Sequence, residues 1–233
     1  MKTILSLFDH SGAWSKPYLE AGYSVERFDL KRGRDVLHLW QDVRNGLWSE
    51  RQVHGILAAP PCTDFSGSGA QYWPAKDANG TTAASLRLID ATLGIVRMLK
   101  PKWWAMENPA GRLNRLRPEL KEEGPVYFHP WEFAGYQSET PEWTTMLEAR
   151  DAVDAGGRLT KAQVQAVIDC GCYTKRTGLW GDFQMPFRNS FTPIRCSTQG
   201  SWTQLLGGKS ERTKELRSIT PAGFARAFFL FNP

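Results

Sequence analysis

Three side chains in this sequence have types and settings that could act together. Cys62 stands in Pro60-Pro61-Cys62-Thr63-Asp64-Phe65-Ser66, Glu107 in Met106-Glu107-Asn108-Pro109, and Arg176 in Lys175-Arg176-Thr177. A cysteine becomes a nucleophile when its pKa is depressed or a cation lies beside it. A carboxyl group set in a pocket can stay protonated enough to donate to a ring nitrogen. Arginine keeps its charge and holds a carbonyl or a carboxylate rather than moving a proton. Taken alone, Cys62 reads as a buried apolar thiol, the common state of free cysteine. Its neighbours in the fold have to decide otherwise.

The elements that would carry these residues alternate between strand and helix. Residues 3–8 are β-branched and apolar and read as a first strand, followed by the small-residue loop Asp9-His10-Ser11-Gly12-Ala13 and a helix over 14–21 stopped at Gly22. Residues 24–30 read as a second strand with Asp29 near its carboxyl end. Strand, small-residue loop, helix and a strand ending in an acid is the layout of a nucleotide-type cofactor half-site. Lys31-Arg32-Gly33-Arg34 is a short basic turn, and Asp35-Val36 opens a third short element. Residues 53–59 form the strand before Cys62, stopped by its two prolines.

Residues 67–80 are polar and Gly-rich without periodicity, either a lid over a reactive cysteine or a plain connector. Leu86, Ile89, Leu93 and Val96 recur at helical spacing, which predicts a helix over 83–99, ended by Pro101. Residues 102–108 read as the next strand, so two successive strands deliver Cys62 and Glu107 to the same sheet edge. Composition then shifts to two polar helical segments, 141–153 and 160–169. The second is opened by the capping-box pattern Thr160-Lys161-Ala162-Gln163. Residues 173–180 return to strand with Arg176 inside it. The stretch 182–217 is irregular and polar, with Lys209, Arg212, Lys214 and Arg217. Thr220 and Pro221 open a closing helix over 221–230.

The totals fit one sizeable core. The chain has 233 residues, 41% hydrophobic and 23% charged, and no apolar run approaches a membrane span. The apolar start is too short for a signal peptide, so the expectation is a cytoplasmic protein without membrane attachment. Four cysteines at irregular spacing do not make a disulfide framework. Cys170 and Cys172 have no histidine nearby to complete a metal site, so no metal is expected. The net charge of +5 favours nucleic acid as a partner, and ten tryptophans leave some surplus for base stacking.

In order and content these motifs resemble the cytosine-5 DNA methyltransferase family. Phe8-Asp9-His10-Ser11-Gly12 followed by Leu19-Glu20-Ala21-Gly22 is similar to its S-adenosylmethionine loop and first helix. Asp29 looks like its ribose-binding acid and Asp35-Val36 like its adenine-contacting pair. Pro61-Cys62-Thr63-Asp64-Phe65-Ser66 is similar to its nucleophile motif, Glu107-Asn108-Pro109 to its Glu-Asn-Val motif, and Lys175-Arg176 to its Gln-x-Arg-x-Arg strand. The likeness covers residues 3–112 well and 173–180 loosely.

The resemblance implies a Rossmann-like α/β fold with a mostly parallel, doubly wound sheet, and S-adenosylmethionine as cofactor. It implies a cofactor site from Phe8, Asp9, His10, Ser11, Gly12, Ala13, Trp14, Asp29, Leu30, Asp35, Val36 and Pro60. Pro61, Ser66, Asn108 and Lys175 would bind a cytosine-containing DNA, with Cys62, Glu107 and Arg176 as the catalytic set. Cys62 would attack carbon 6 of a flipped-out cytosine, Glu107 would protonate or hydrogen-bond ring nitrogen 3, and Arg176 would hold the carbonyl oxygen.

The chain departs from that pattern in four places. His10 replaces the first glycine of the cofactor loop, and the second arginine of the Gln-x-Arg-x-Arg strand falls at Gly178. Only residues 182–217 are left for a target-recognition region, which points to short or relaxed sequence specificity and to a compact member of the kind phages encode. The helical pair within 137–171 lies outside the family pattern, and packing is favoured for it over holding DNA. The expected domains are therefore a catalytic domain over 1–181, the reduced reader over 182–217, and a last helix, 218–233, packed back on the catalytic domain. Cytosine in RNA, a free cytidine nucleotide, or a silent nucleic-acid-binding relative are the other readings the departures leave open.

Overall fold

The computed structural model describes residues 1–49, 53–137, 142–157, 159–190 and 211–233. Most of the expected reader, including Cys196, therefore lies outside the described residues. The chain divides into two compact units, Met1–Tyr127 with Thr177–Phe183, and Phe128–Arg176 with Gln184–Pro233. This division does not coincide with the expected boundary at 181/182. The helical pair and the closing helix both group in the second unit.

The first unit is built on a sheet whose strands are β1 (Thr3–Leu7), β2 (Ser24–Phe28), β3 (Gly55–Ala58), β4 (Trp103–Pro109), β5 (Val126–Phe128) and β6 (Thr177–Trp180). Their order is β2-β1-β3-β4-β6-β5. Strands β2, β1, β3 and β4 are parallel neighbours, and β6 runs antiparallel to β4. The order reverses between β1 and β3, the switch point at which open α/β sheets leave a crevice beyond their carboxyl ends. The sheet is the expected mostly parallel, Rossmann-like α/β architecture.

Helices cover both faces, because strands buried on both sides carry apolar residues without alternation. Helix α1 (Lys16–Glu20) packs Tyr18 against Trp103, with ring centroids 5.4 Å apart. On the other face α2 (Val36–Arg44) and the long α4 (Thr81–Leu99) place Leu39, Val43, Ile89 and Leu93 in one core with Leu5, Ile56, Trp104 and Met106. Asp35 caps α2 by accepting from the Leu37 amide at 2.9 Å. The stretch 67–80 is not the open loop its composition suggests. It forms a 3-10 turn over Gly67–Tyr72 and then α3 (Trp73–Ala78), because its side chains find partners in the folded unit that no local pattern announces. Helix α5 (Leu113–Leu116) follows β4.

The second unit has two apolar centres. Helices α6 (Glu142–Asp154) and α7 (Lys161–Asp169) pack Met146, Ala149, Ala166 and Val167 with Cys170, Cys172 and Tyr173. Burial, and then neighbouring Cys170, push the Cys172 thiol up to about 12, so both cysteines act here as small core residues. After α8 (Glu211–Ser218), α9 (Ala222–Phe231) brings Phe224 onto Phe128 in a stack with centroids 4.2 Å apart, and edge-on to Phe133 at 5.3 Å. Pro221 is the cap of α9 rather than its first helical residue. The expected capping box is present, with Thr160 Oγ1 accepting from the Gln163 amide at 3.2 Å and Gln163 Oε1 accepting from the Thr160 amide at 2.9 Å. Thr160→Ala should therefore cost about 1 kcal/mol of stability, read as a lower urea midpoint at unchanged m-value.

Candidate active site

Two loops meet the carboxyl edge of the first unit's sheet. The first leaves β1 through Phe8, whose φ of 60° is a left-handed conformation rarely adopted by an aromatic residue. Both the Phe8 and Asp9 amides donate to the carbonyl of Phe28 on β2, at 2.6 and 3.3 Å, and this holds the bend. Asp9 then turns inward. Its carboxylate accepts from Ser6 Oγ at 2.7 Å, Ser15 Oγ at 2.6 Å and the Gly12 amide at 2.6 Å. Asp9 is thus the organiser of the loop rather than an exposed ligand contact. His10 and Ser11 lie exposed at its tip. Gly12, at φ +77°, lies so close to Arg27 of β2 that a Cβ there would stand 1.9 Å from the guanidinium.

Further along this edge Asp29 follows β2 in extended conformation, and its Oδ1 accepts from the Lys31 amide at 2.8 Å. Leu30 beside it is exposed. Two expected ligand residues are placed differently. Val36 and Trp14 are both buried, Val36 within the apolar core. The identity of such residues as apolar was visible in sequence; the side they face depends on the packing of α1 and α2.

The second loop follows β3. The Ala59 amide donates to the Leu7 carbonyl at 3.1 Å, Pro60 is buried, Pro61 is exposed and Cys62 is half-buried. The Cys62 carbonyl accepts from the amides of Phe65 and Ser66 at 3.0 and 2.9 Å, which closes a tight turn anchored by the fully buried Phe65 ring. Parallel register pairs Ala58 with Met106, so the next residue on β4, the half-buried Glu107, lies level with the start of this loop. The following residue ties the two strands' ends together: Asn108, fully buried, donates Nδ2 to the Pro60 carbonyl at 3.1 Å. Beyond it Ser66 and Gly111 form a bridge, and the Gly67 amide donates to Ala110 at 3.1 Å. A Cβ on Gly111 would stand 1.9 Å from the Phe65 carbonyl oxygen, so only glycine permits this approach.

The third expected catalytic residue is placed differently. Arg176 precedes β6 instead of lying in it, is exposed, and belongs to the second unit. There it neighbours His129, whose pKa is lowered first by burial and then by the charges of Arg176 and Arg188, against the opposing pull of Glu132. Lys175 Nζ donates to the Arg217 carbonyl in the last turn of α8 at 3.2 Å, a favourable place for a cation. Gly178 stands where the second arginine of the family pattern would fall. A Cβ there would meet Pro125 and the Trp180 ring at 3.0 Å, so a side chain at 178 requires these neighbours to shift. Sequence reading missed Arg27 and Gly111, since each matters only through a partner far away in the chain.

The site residues fit a nucleoside-type cofactor. The Asp29 carboxylate has acceptor capacity beyond its single cap bond, the exposed Leu30 beside it offers apolar surface to a base, and the loop of Phe8 to Gly12 stands between them and Cys62. Among the described residues no group of three or more His, Cys, Asp or Glu could hold a metal, and no helix is long and apolar enough to cross a membrane.

No family model matches the sequence. A curated protein of Aquifex aeolicus (strain VF5), provisionally named a carboxymethylenebutenolidase, is 32% identical over 87 residues, 34% of this chain and 36% of that protein. Among solved structures, a provisionally named DNA modification methyltransferase encoded within an E. coli prophage aligns with TM-score 0.42 and 13% identity over 79% of this chain and 49% of that one. A mutant of Spodoptera frugiperda DNMT2 aligns with TM-score 0.33 and 14% identity over 90% of this chain and 60% of that one. The chain thus spans about a third of the curated relative's length, and matches at this level do not assign an activity.

The two kinds of cysteine separate experimentally. In the folded protein at pH 8, iodoacetamide should modify half-buried Cys62 while Cys170 and Cys172 stay unlabelled until denaturant is added, with peptide mass spectrometry as the readout.

Proposed function

We propose that this chain is an S-adenosylmethionine-dependent methyltransferase acting on carbon 5 of cytosine in DNA. The observation that supports it best is the pairing of β3 with β4. One parallel register sets the Cys62 turn and Glu107 on the same edge, locked by Asn108 to Pro60, beside the loop that leaves β1.

Cys62 is the nucleophile, and its sulfur bonds to carbon 6 of a cytosine extruded from the helix. Extrusion is needed because stacked neighbours cover the ring faces in a duplex. Glu107 holds the proton delivered to ring nitrogen 3, so the electron pair displaced by the thiolate accumulates at carbon 5 without leaving a full charge on the ring. S-adenosylmethionine, when bound, supplies the methyl group to that carbon. A base or water then takes the carbon 5 proton, the electrons of that bond restore the ring double bond, the carbon 6–sulfur bond breaks to release the Cys62 thiolate, and the nitrogen 3 proton returns to Glu107. Asp9 shapes the cofactor loop, with Asp29 and Leu30 holding the nucleoside part and the exposed His10 and Ser11 lining the tip.

The test is trapping on a duplex containing 5-fluorocytosine, whose fluorine blocks the final elimination. With S-adenosylmethionine present, the wild type should form a covalent adduct that survives denaturation, and Cys62→Ala should form none. Glu107→Gln should lower turnover on ordinary DNA by about 10²- to 10⁴-fold. Adduct formation on RNA or transfer to free dCMP in place of duplex DNA would move the substrate assignment. Absence of adduct and transfer with all three would overturn the enzymatic reading.

A further inference from the structure

Cys62 lies in an irregular turn on the surface, yet the four consecutive carbonyl oxygens from Cys62 to Phe65 are all bonded. Cys62 O accepts from the turn's own amides, at 3.0 Å from Phe65 and 2.9 Å from Ser66. Thr63 O accepts from Lys76 Nζ at 2.6 Å. The remaining two are held by a single residue: Arg112 donates Nε to Asp64 O at 2.9 Å and its main-chain amide to Phe65 O at 2.9 Å.

Three more N–H groups of that guanidinium are committed. Nη1 and Nη2 form a two-pronged pair with the Asp77 carboxylate at 2.8 Å each, and Nη2 reaches Thr82 Oγ1 at 2.9 Å. Its carbon lies 4.7 Å from the centre of the Trp73 ring. Arg112 is only 4% exposed, and a buried guanidinium persists where its donors are matched. Asp77 anchors one prong from α3, Thr82 another from α4, and Arg112 itself follows the strand that carries Glu107. Lys76 adds an ion pair to Asp64 Oδ1 at 2.8 Å, next to the same carbonyls.

We infer that Arg112 is the positioning residue of this site: it fixes the Cys62 turn to the end of β4, so that the nucleophile and Glu107 keep one geometry. The inference deepens the reading of Cys62 and Glu107 as a catalytic pair and rests on it. Asp77 supports it by remaining charged. Hydrogen bonds from Arg112 and then Thr82 hold its pKa down to about 2. Its contribution is therefore complete above the ordinary carboxylate range and lost only as the pH falls toward 2, so the clamp is intact wherever a rate is measured.

The experiment compares Arg112→Lys and Asp77→Asn with the wild type, below the thermal midpoint of each variant and with folding checked by circular dichroism. Arg117→Lys is the control, since Arg117 makes an equally forked pair with Asp90 at 2.6 Å away from the Cys62 turn. Two quantities are read: kcat for methyl transfer, and the rate and pH profile of Cys62 alkylation by iodoacetamide. A displacement on the order of 1 Å at the reacting atoms costs about 100-fold in rate. Positioning predicts that kcat falls about that far in Arg112→Lys and less in Asp77→Asn, with KM for S-adenosylmethionine unchanged. It also predicts that alkylation accelerates as the turn loosens, while Arg117→Lys changes neither. If Arg112→Lys does not fold, Asp77→Asn, which alters a half-exposed carboxylate, decides alone. Folded variants with wild-type kcat and wild-type alkylation overturn the inference. A wild type that transfers no methyl group overturns the functional reading instead, and the alkylation rates then still test whether Arg112 holds the turn.

Discussion

The in-register parallel pairing of β1, β3 and β4 is the constraint on which the rest depends. Because side chains alternate along a strand, a slip of one residue would send Glu107 to the opposite face and move Asn108 away from Pro60. The ladder from Ile4 opposite Gly55 to Ala58 opposite Met106 sets that register, and the bond from Asn108 to the Pro60 carbonyl holds it at the strand ends. Chemistry then collects beyond the carboxyl ends, where the main chain must leave the sheet and its polar groups seek partners outside the ladder.

How those polar groups are satisfied separates this site from an ordinary set of loops. The β1 loop is held from within: a buried Asp9 gathers two hydroxyls and an amide, leaving His10 and Ser11 outside. The Cys62 turn is held from without, by Asn108, Lys76 and Arg112, which come from three later segments of the chain. Buried donors aimed at carbonyl oxygens give a short turn the rigidity that a helix obtains from its own backbone, and a preorganised nucleophile needs that rigidity.

The second unit follows another logic. Its aromatic group of Phe128, Phe133 and Phe224 and its α6–α7 pair bury apolar surface. Around Arg176 the balance is electrostatic, with His129 kept toward its neutral form by burial and by two arginines, and Glu132 opposing them. Arg188 lies 3.4 Å from that glutamate, so the cluster is partly compensated, while Arg176 stays exposed.

Local pattern made much of this legible. Strand after strand was marked by short apolar runs with Gly, Pro or acid punctuation, and the α7 cap was readable to the residue, because such signals act over three or four positions. The motifs at Cys62 and Glu107 and their common edge followed from strand order alone. How deeply each apolar residue is buried did not follow, as Val36 and Trp14 illustrate, since that depends on how helices pack. The helical form of residues 67–78, the tight space at Gly178 and the hold of Arg112 on the Cys62 turn were also invisible, because each rests on a partner distant in sequence. By itself the sequence determined the candidate groups and the succession along the chain of the strands that carry them. Only the tertiary structure decided how those groups are held, because a hydrogen bond between residues 48 positions apart exists only after the chain has folded.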